Sequence, residues 1–272
     1  MSGAPLPALT LHRGFAPLPT YVWSPFSNKL EARLRLAGLP YRIGSGSPMQ
    51  APRGKIPYVE VVWDGHGSKS SSSSSKLAEQ LGDSALIIRR FVEEGCMQDL
   101  NAGLTPVERA RDLGVRVLLE DRLYFYQVRE RWQDNNYTMR DTVLAAIPYP
   151  VRVLVGLLAY RKVMRTLDGQ GLLRYAREEA AAMRLEVWES INAMLVESRS
   201  KALAAERDGP FWILGGESPT EADSTVFGFI AASLVCKAAP ESEKLVRSFP
   251  VVVEYATRIH NQYFSDYGCS QN

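Results

Sequence analysis

Three short stretches in the first hundred residues carry groups able to work on one small ligand. The first is Ser24-Pro25-Phe26-Ser27. Serine followed by proline is a helix-start signal, with Ser24 as N-cap and Pro25 at the first helical position. A helix N-terminus offers unpaired N–H groups and a partial positive charge. A hydroxyl there can donate to a thiolate, and such surroundings lower a thiol's pKa. A depression of about two units corresponds to roughly 2.7 kcal/mol in favour of the thiolate. The plainer role is a cap worth about 1 kcal/mol, and the tetrapeptide alone favours that role.

The second stretch is Ile56-Pro57. A cis peptide there turns the Ile56 backbone groups outward, where they can pair in strand-like fashion with a peptide ligand. Cis bonds are about 5–6% of X–Pro bonds in folded proteins, and the alternative is a strand-initiating trans proline. The third is Asp83-Ser84 at a later helix start. Its hydroxyl and helix N–H groups suit a carboxylate, and Asp83 suits an ammonium; a simple helix cap is the competing role. Arg53 and Lys55 lie near enough in sequence to pair with a second carboxylate, although loop cations are more often solvated. Together the three stretches would recognise a small peptide with carboxylate, amine and thiol, a description that glutathione meets.

The elements that must position these groups follow from local pattern. Leu9 to His12 alternates and reads as a strand, followed by a Gly/Pro-rich connection from Arg13 to Trp23. The helix opened by Ser24 places Phe26, Leu30 and Leu34 on one face and stops at Gly38 before Pro40. Tyr41 to Ile43 is a second strand. Lys55 to Trp63 is the most strand-like run, with Pro57 at its start, where a missing N–H is tolerated. Gly65 to Ser75 is low-complexity and expected to be a disordered hairpin loop, with Lys76 to Leu81 as the returning strand. Asp83-Ser84 then opens a helix that stops at Gly95.

From Thr105 onward the periodicity is helical throughout. Helices are expected over Val107–Trp132, Asp141–Arg165, Leu172–Ala205, Glu221–Lys237 and near Phe249–Phe264. Strands before residue 100 and none after predict two domains, 1–100 and 105–272, with the boundary between Asp99 and Pro106.

Bulk properties exclude several classes. With 32 basic and 30 acidic side chains the net charge is +2, a near-balance that gives no electrostatic reason to expect nucleic acid or an anionic membrane as partner. The three cysteines, Cys96, Cys236 and Cys269, have no metal-ligand or C-x-x-C spacing, and fit a reducing compartment. Histidines 12, 66 and 260 are scattered, and no metal site, phosphate loop or nucleophile elbow is found. Met1 to Thr10 lacks signal-peptide character, so the expected location is the cytoplasm. Val143 to Val163 is lipophilic but broken by Pro148, Pro150, Arg152 and Arg161, and reads as a buried or surface-docking helix rather than a spanning one.

The order and spacing of these features resemble the failed-axon-connections proteins, a branch of the glutathione-transferase superfamily close to the metaxins. The likeness runs through Ser24 to Glu31, Arg35-Leu36-Ala37, Pro40-Tyr41 and Gly54 to Glu60. It continues through Ile87-Ile88, Leu104 to Ala110, Arg131 to Asn135, Gly169-Gln170-Gly171 with Glu178-Glu179, and Asp223 to Gly228. It thus spans about Leu9 to Phe264. The resemblance implies an α/β plus all-α fold, a thioredoxin-like βαβ-ββα domain followed by a C-terminal helical bundle. It also implies a cis Pro57 and a glutathione cleft over Ser24, Ile56 and Ser84. Members commonly have cysteine where this chain has Ser27, so disulfide exchange is not expected. Conjugation or glutathione-dependent lyase chemistry on an apolar electrophile remains, with Ser24 as the thiolate's hydrogen-bond donor and Ser27 in reserve.

In a transferase, the helix Leu118–Trp132 would line the hydrophobic-substrate side of the cleft. Tyr124, Gln127 and Arg131 share one of its faces, although core packing is the commoner fate of such residues. Thr220 to Asp223 has capping-box form, so Asp223→Ala is expected to lower the melting temperature more than ligand affinity. Two other classes compete with the enzyme: a non-catalytic metaxin-like adaptor docking through Val143–Val163, and an enzyme reusing the cleft without glutathione. Relatives of the transferase type often form homodimers, and the sequence neither demands nor forbids this.

Overall fold

The computed structural model describes residues 7–14, 18–63 and 78–268. The serine tract at 65–75, His66 and Cys269 lie outside the described residues. Strand β1 (Ala8–His12) leads into helix α1 (Pro25–Leu36) and then β2 (Arg42–Gly44), which lies parallel to β1. A parallel neighbour requires a crossover, and α1 supplies it. Strands β3 (Tyr58–Val62) and β4 (Glu79–Gly82) form an antiparallel pair, followed by α2 (Ser84–Glu93). The sheet order is β2-β1-β3-β4, the expected βαβ-ββα arrangement.

Alternation explains which face of the sheet is covered. Leu9 and Leu11 of β1 and Val59 and Val61 of β3 share one face. They are buried against Leu30 and Leu34 of α1 and Ile87, Ile88 and Phe91 of α2. On the opposite face His12 stacks on Tyr58 at 4.4 Å between ring centroids.

Beyond Thr105 the described residues form helices only. A single helical path runs through α3 (Pro106–Val117) and α4 (Tyr124–Arg129), with wider π-type turns at 118–123 and 130–134. Next come α5 (Asn136–Val143), α6 (Tyr149–Gly169) and α7 (Arg177–Ala204). The chain ends in α8 (Glu221–Val235), α9 (Pro240–Arg247) and α10 (Pro250–Tyr263). Two sequence expectations need correction here. The helix expected over Asp141–Arg165 is two helices separated by a turn at 144–148. Pro148 sits before the second helix and Pro150 in its first turn, where proline's fixed φ and missing N–H suit a start and not an interior. Helix α9 was not foreseen: at eight residues it is too short to show a period.

The strand-bearing and helical parts meet chiefly through α1 and α8. Gly228 lets the two helices touch backbone to backbone. A methyl group there would lie 2.5 Å from the Lys29 amide nitrogen and 2.7 Å from the Pro25 carbonyl oxygen. The buried charges of α1 find partners across this junction. Lys29 Nζ lies 2.6 Å from Glu120 Oε1, and Arg33 Nε lies 2.7 Å from Glu221 Oε1. Unpaired, either cation would cost several kcal/mol in such a place.

Candidate functional site

The sheet register brings two of the three sequence features to one edge. Tyr58 pairs with Gly82, so Ile56-Pro57, just before β3, lies beside Asp83-Ser84, just after β4. Tyr58 also pairs with His12, which sets Arg13-Gly14, at the end of β1, on the other side of Ile56. The Ile56–Pro57 peptide is cis, and Pro57 is buried. Gly14 has φ +83°, and the Ile56 side chain fills the space a Cβ would need there. The ladder stops at Tyr58, so the Ile56 main chain lies beyond it.

The third feature, the start of α1, is fixed by the loop before it. Asn28 clamps Val22 from both sides: its Oδ1 accepts from the Val22 N–H at 3.1 Å and its Nδ2 donates to the Val22 carbonyl at 2.8 Å. From the helical half, Arg131 donates to the Trp23 carbonyl at 2.9 Å. Ser24 is therefore held between two anchored residues. Its Oγ accepts from the Ser27 N–H at 3.3 Å, as an N-cap should, and among the described residues nothing accepts its proton. Asn28 N–H bonds to the Ser24 carbonyl at 3.2 Å and Pro25 has no N–H, leaving Phe26 N–H as the free amide of the first turn. One hydroxyl and one amide thus remain for an incoming anion. Ser27 is fully buried, and its Oγ has no hydrogen-bond partner among the described residues.

The start of α2 has the same character. Asp83 caps the helix, its Oδ1 accepting from Ala85 N–H at 3.0 Å and Leu86 N–H at 3.3 Å. The N–H and hydroxyl of Ser84 are left over. Ser84 is buried, and its hydroxyl makes no hydrogen bond to another described residue. Asp83 holds φ at +79°, a costly conformation for a residue with a Cβ, and one that clusters at ligand sites.

Arg53 is brought to this junction: its Cγ would lie 3.3 Å from a Cβ at Gly82. With Pro52, Gln80, Leu81, Gly82, Leu86 and Ile87 it lines a cavity of about 390 Å³. Lys55 is exposed and outside that lining.

The three residues on the long helical path have internal partners. Gln127 is fully buried and donates to Ser233 Oγ at 2.7 Å. Arg131 holds Trp23 and approaches Gln127 Oε1 at 3.4 Å. The Tyr124 ring meets Phe26 edge-on at 5.0 Å, and burial pushes its hydroxyl pKa up. Tyr124 and Arg131 therefore touch the residues flanking Ser24.

Neither described cysteine is activated. Burial raises the thiol pKa of both Cys96 and Cys236, and among the described residues no cluster of His, Cys, Asp or Glu could hold a metal. No single described helix is long and apolar enough to cross a membrane.

Sequence reasoning missed the supports of the site: Asn28, the Arg131 contact and the glycines at 14 and 82. It also missed a buried cluster in which Arg13 lies 2.7 Å from Glu31, while Tyr41 and Tyr267 both donate to that carboxylate. Arg13 was legible only as the first residue of a loop, because its side-chain partners in the cluster, Glu31 and Tyr267, are 18 and 254 residues away.

Residues 25–139 match the family model described as the glutathione S-transferase N-terminal domain. Three solved structures share the fold over nearly the whole chain. Glutathione transferase GSTFuA3 from Phanerochaete chrysosporium is 14% identical with a TM-score of 0.58, covering 98% of this chain and 100% of that one. A glutathione transferase family member from Pseudomonas fluorescens pf-5, solved with two glutathione bound, is 18% identical with a TM-score of 0.51, covering 93% and 88%. Glutathione transferase Omega 3C from Trametes versicolor is 13% identical with a TM-score of 0.50, covering 96% and 83%. The architecture is the thioredoxin-like plus helical fold of glutathione transferases.

Proposed function

We propose that this chain is a glutathione transferase-like enzyme. It binds reduced glutathione along the edge formed by α1, Ile56-Pro57 and α2, and delivers its sulfur to an apolar electrophile. The observation that carries this reading is the pair of unspent donor sets, Ser24 Oγ–H with Phe26 N–H and Ser84 Oγ–H with Ser84 N–H. They stand at two helix starts, the second beside a strand end whose backbone is free of the ladder. In this reading Ser84 takes a carboxylate, Asp83 the ammonium, and the Ile56 main chain the peptide's middle. Arg53, with Lys55 as a second cation, faces the remaining carboxylate. Ser24 donates to the sulfur, which lowers the thiol's pKa by favouring the thiolate; Ser27 is the second hydroxyl of that turn.

Tyr124 and Arg131 form the electrophile's side of the cleft by holding Phe26 and Trp23, with Gln127 behind them. Conjugation and glutathione-dependent lyase chemistry both start from the same thiolate. We place the division between the two domains at 100–105, and the chain in the failed-axon-connections branch on the motifs quoted above.

The test is the ionisation of bound glutathione, followed through the ultraviolet absorbance of the thiolate as pH is raised. The wild-type complex should titrate at least about one unit below free glutathione, a preference of about 1.4 kcal/mol. Ser24→Ala should return the thiol to its free value with binding largely retained. An unchanged titration in the variant would remove Ser24 from the chemistry.

A further inference from the structure

We propose that helix α6, with the turn leading into it, docks on an anionic lipid surface. The inference does not depend on glutathione binding. Helix α6 is loosely held, with Gly156 and Leu167 its only fully buried residues. Its outward face has two zones. Over the first three turns Val151, Leu154 and Leu158, spaced i, i+3 and i+7, stand 52%, 60% and 57% exposed, and Leu157 lies beside them. Towards its end the exposed side chains are Arg161, Lys162, Arg165, Thr166 and Asp168, three cations against one acid, and the three cations make no ion pair among the described residues. Tyr149, at the start of α6, is exposed at the margin of the patch, and Tyr137 of α5 is exposed too.

The charge pattern selects the partner. Between Asp141 and Asp168 the sequence has no acidic residue, while it carries Arg152, Arg161, Lys162 and Arg165. Arg152 is spent on the turn, donating to the carbonyls of Ile147 at 3.0 Å and Ala145 at 2.8 Å. The other three cations face outward. Exposed aliphatics, a tyrosine at their margin and a zone of three cations against one terminal acid match a helix lying in the headgroup layer of an anionic bilayer. Each cation near such a surface adds to the attraction without needing a fixed partner. A two-fold contact between copies would lay this net-basic face on itself, setting more cations than acids against one another. The net charge of +2 hides this patch because acids elsewhere balance it.

The experiment is flotation of the full chain with vesicles of phosphatidylcholine plus phosphatidylserine, against vesicles of phosphatidylcholine alone. Binding is expected to the mixed vesicles, about tenfold weaker or more on the neutral ones, and to weaken as salt is raised. The double variant Leu154→Glu/Leu158→Glu and the triple variant Arg161→Glu/Lys162→Glu/Arg165→Glu should each lose binding. Both should melt as the wild type does, because all five side chains point to solvent. Absence of vesicle binding by the folded chain, or binding that both variants retain, overturns the proposal. A dimer in light scattering that the leucine variant dissociates, without vesicle binding, likewise overturns it and makes the patch an interface between copies.

Discussion

Ser24 and Ser27 share a helical turn, yet the structure gives them different situations. The Ser24 hydroxyl accepts one amide and has a proton to give, while the Ser27 hydroxyl is buried with no partner among the described residues. A buried unpaired hydroxyl costs about 1–3 kcal/mol. Ser27→Ala should therefore leave the melting temperature unchanged or raise it by a few degrees. If Ser27 takes part in holding the sulfur, the same variant will weaken glutathione binding, so thermal unfolding and titration of one protein separate the two roles. The presence of these hydroxyls was legible from Ser-Pro-Phe-Ser and Asp-Ser as helix starts, because capping is a local matter. What holds them was not legible. Asn28 clamping Val22 and Arg131 reaching Trp23 join residues that no short-range pattern links, 6 and 108 positions apart.

Helix α8 illustrates what an element asks of single positions. Asp223 accepts from the amides of Ile213 and Thr220, each at 2.7 Å, and from the hydroxyls of Thr220 and Tyr255 at 3.0 and 2.9 Å. Asp223→Ala strands all four donors and should destabilise by about 2–4 kcal/mol, seen in chemical denaturation, with little effect on the cleft. Burial raises this carboxyl from the usual carboxylate value to about 6, against the pull of those donors. The folded chain therefore holds the proton more tightly than the unfolded chain between about pH 4 and 6. Its contribution to stability is full below that window and falls as pH rises through it. The destabilisation by Asp223→Ala should accordingly be larger at pH 4 than at pH 7; a cost that grows with pH would contradict the assignment.

Five positions on, Gly228→Ala drives a methyl into the backbone of α1, which cannot yield as a side chain can. A loss of about 1–3 kcal/mol is expected, although alanine is the better helix former by about 1 kcal/mol. The capping box was readable from Thr220-Glu221-Ala222-Asp223. The helix contact at Gly228 was not, because a glycine in an apolar helix does not name its neighbour. The break between α5 and α6 was signalled by Pro148 and Pro150, whose value as a helix start is outweighed, in a continuous reading, by the lipophilic run around them.

At the scale of the molecule, the order of strands and helices was written in the change from period-two to helical patterning near residue 100. The thioredoxin-like plus helical architecture followed from it and from the resemblance. The way the ends come together was not. Tyr267, near the C-terminus, donates to Glu31 beside Arg13 of the first loop, so the final turn closes onto the strand-bearing half and buries a charge pair there. Burial and the neighbouring Glu31 both push the Tyr267 hydroxyl pKa up, keeping it a donor over the whole working range. Unspent hydroxyl and amide donors remain at the start of α2, beside the end of the β3–β4 pair, and at the start of α1.

In the proposed function, glutathione binds along Ile56-Pro57 and the start of α2. The measurement that tests it most directly is calorimetric titration of the full chain with reduced glutathione, with Ser84→Ala alongside. Binding in the micromolar to low-millimolar range, weakened at least about tenfold in the variant at an unchanged melting temperature, is the predicted result; tenfold is about 1.4 kcal/mol, as expected for one charge-assisted hydrogen bond. No heat at several millimolar glutathione, in a sample that melts cooperatively, would contradict it.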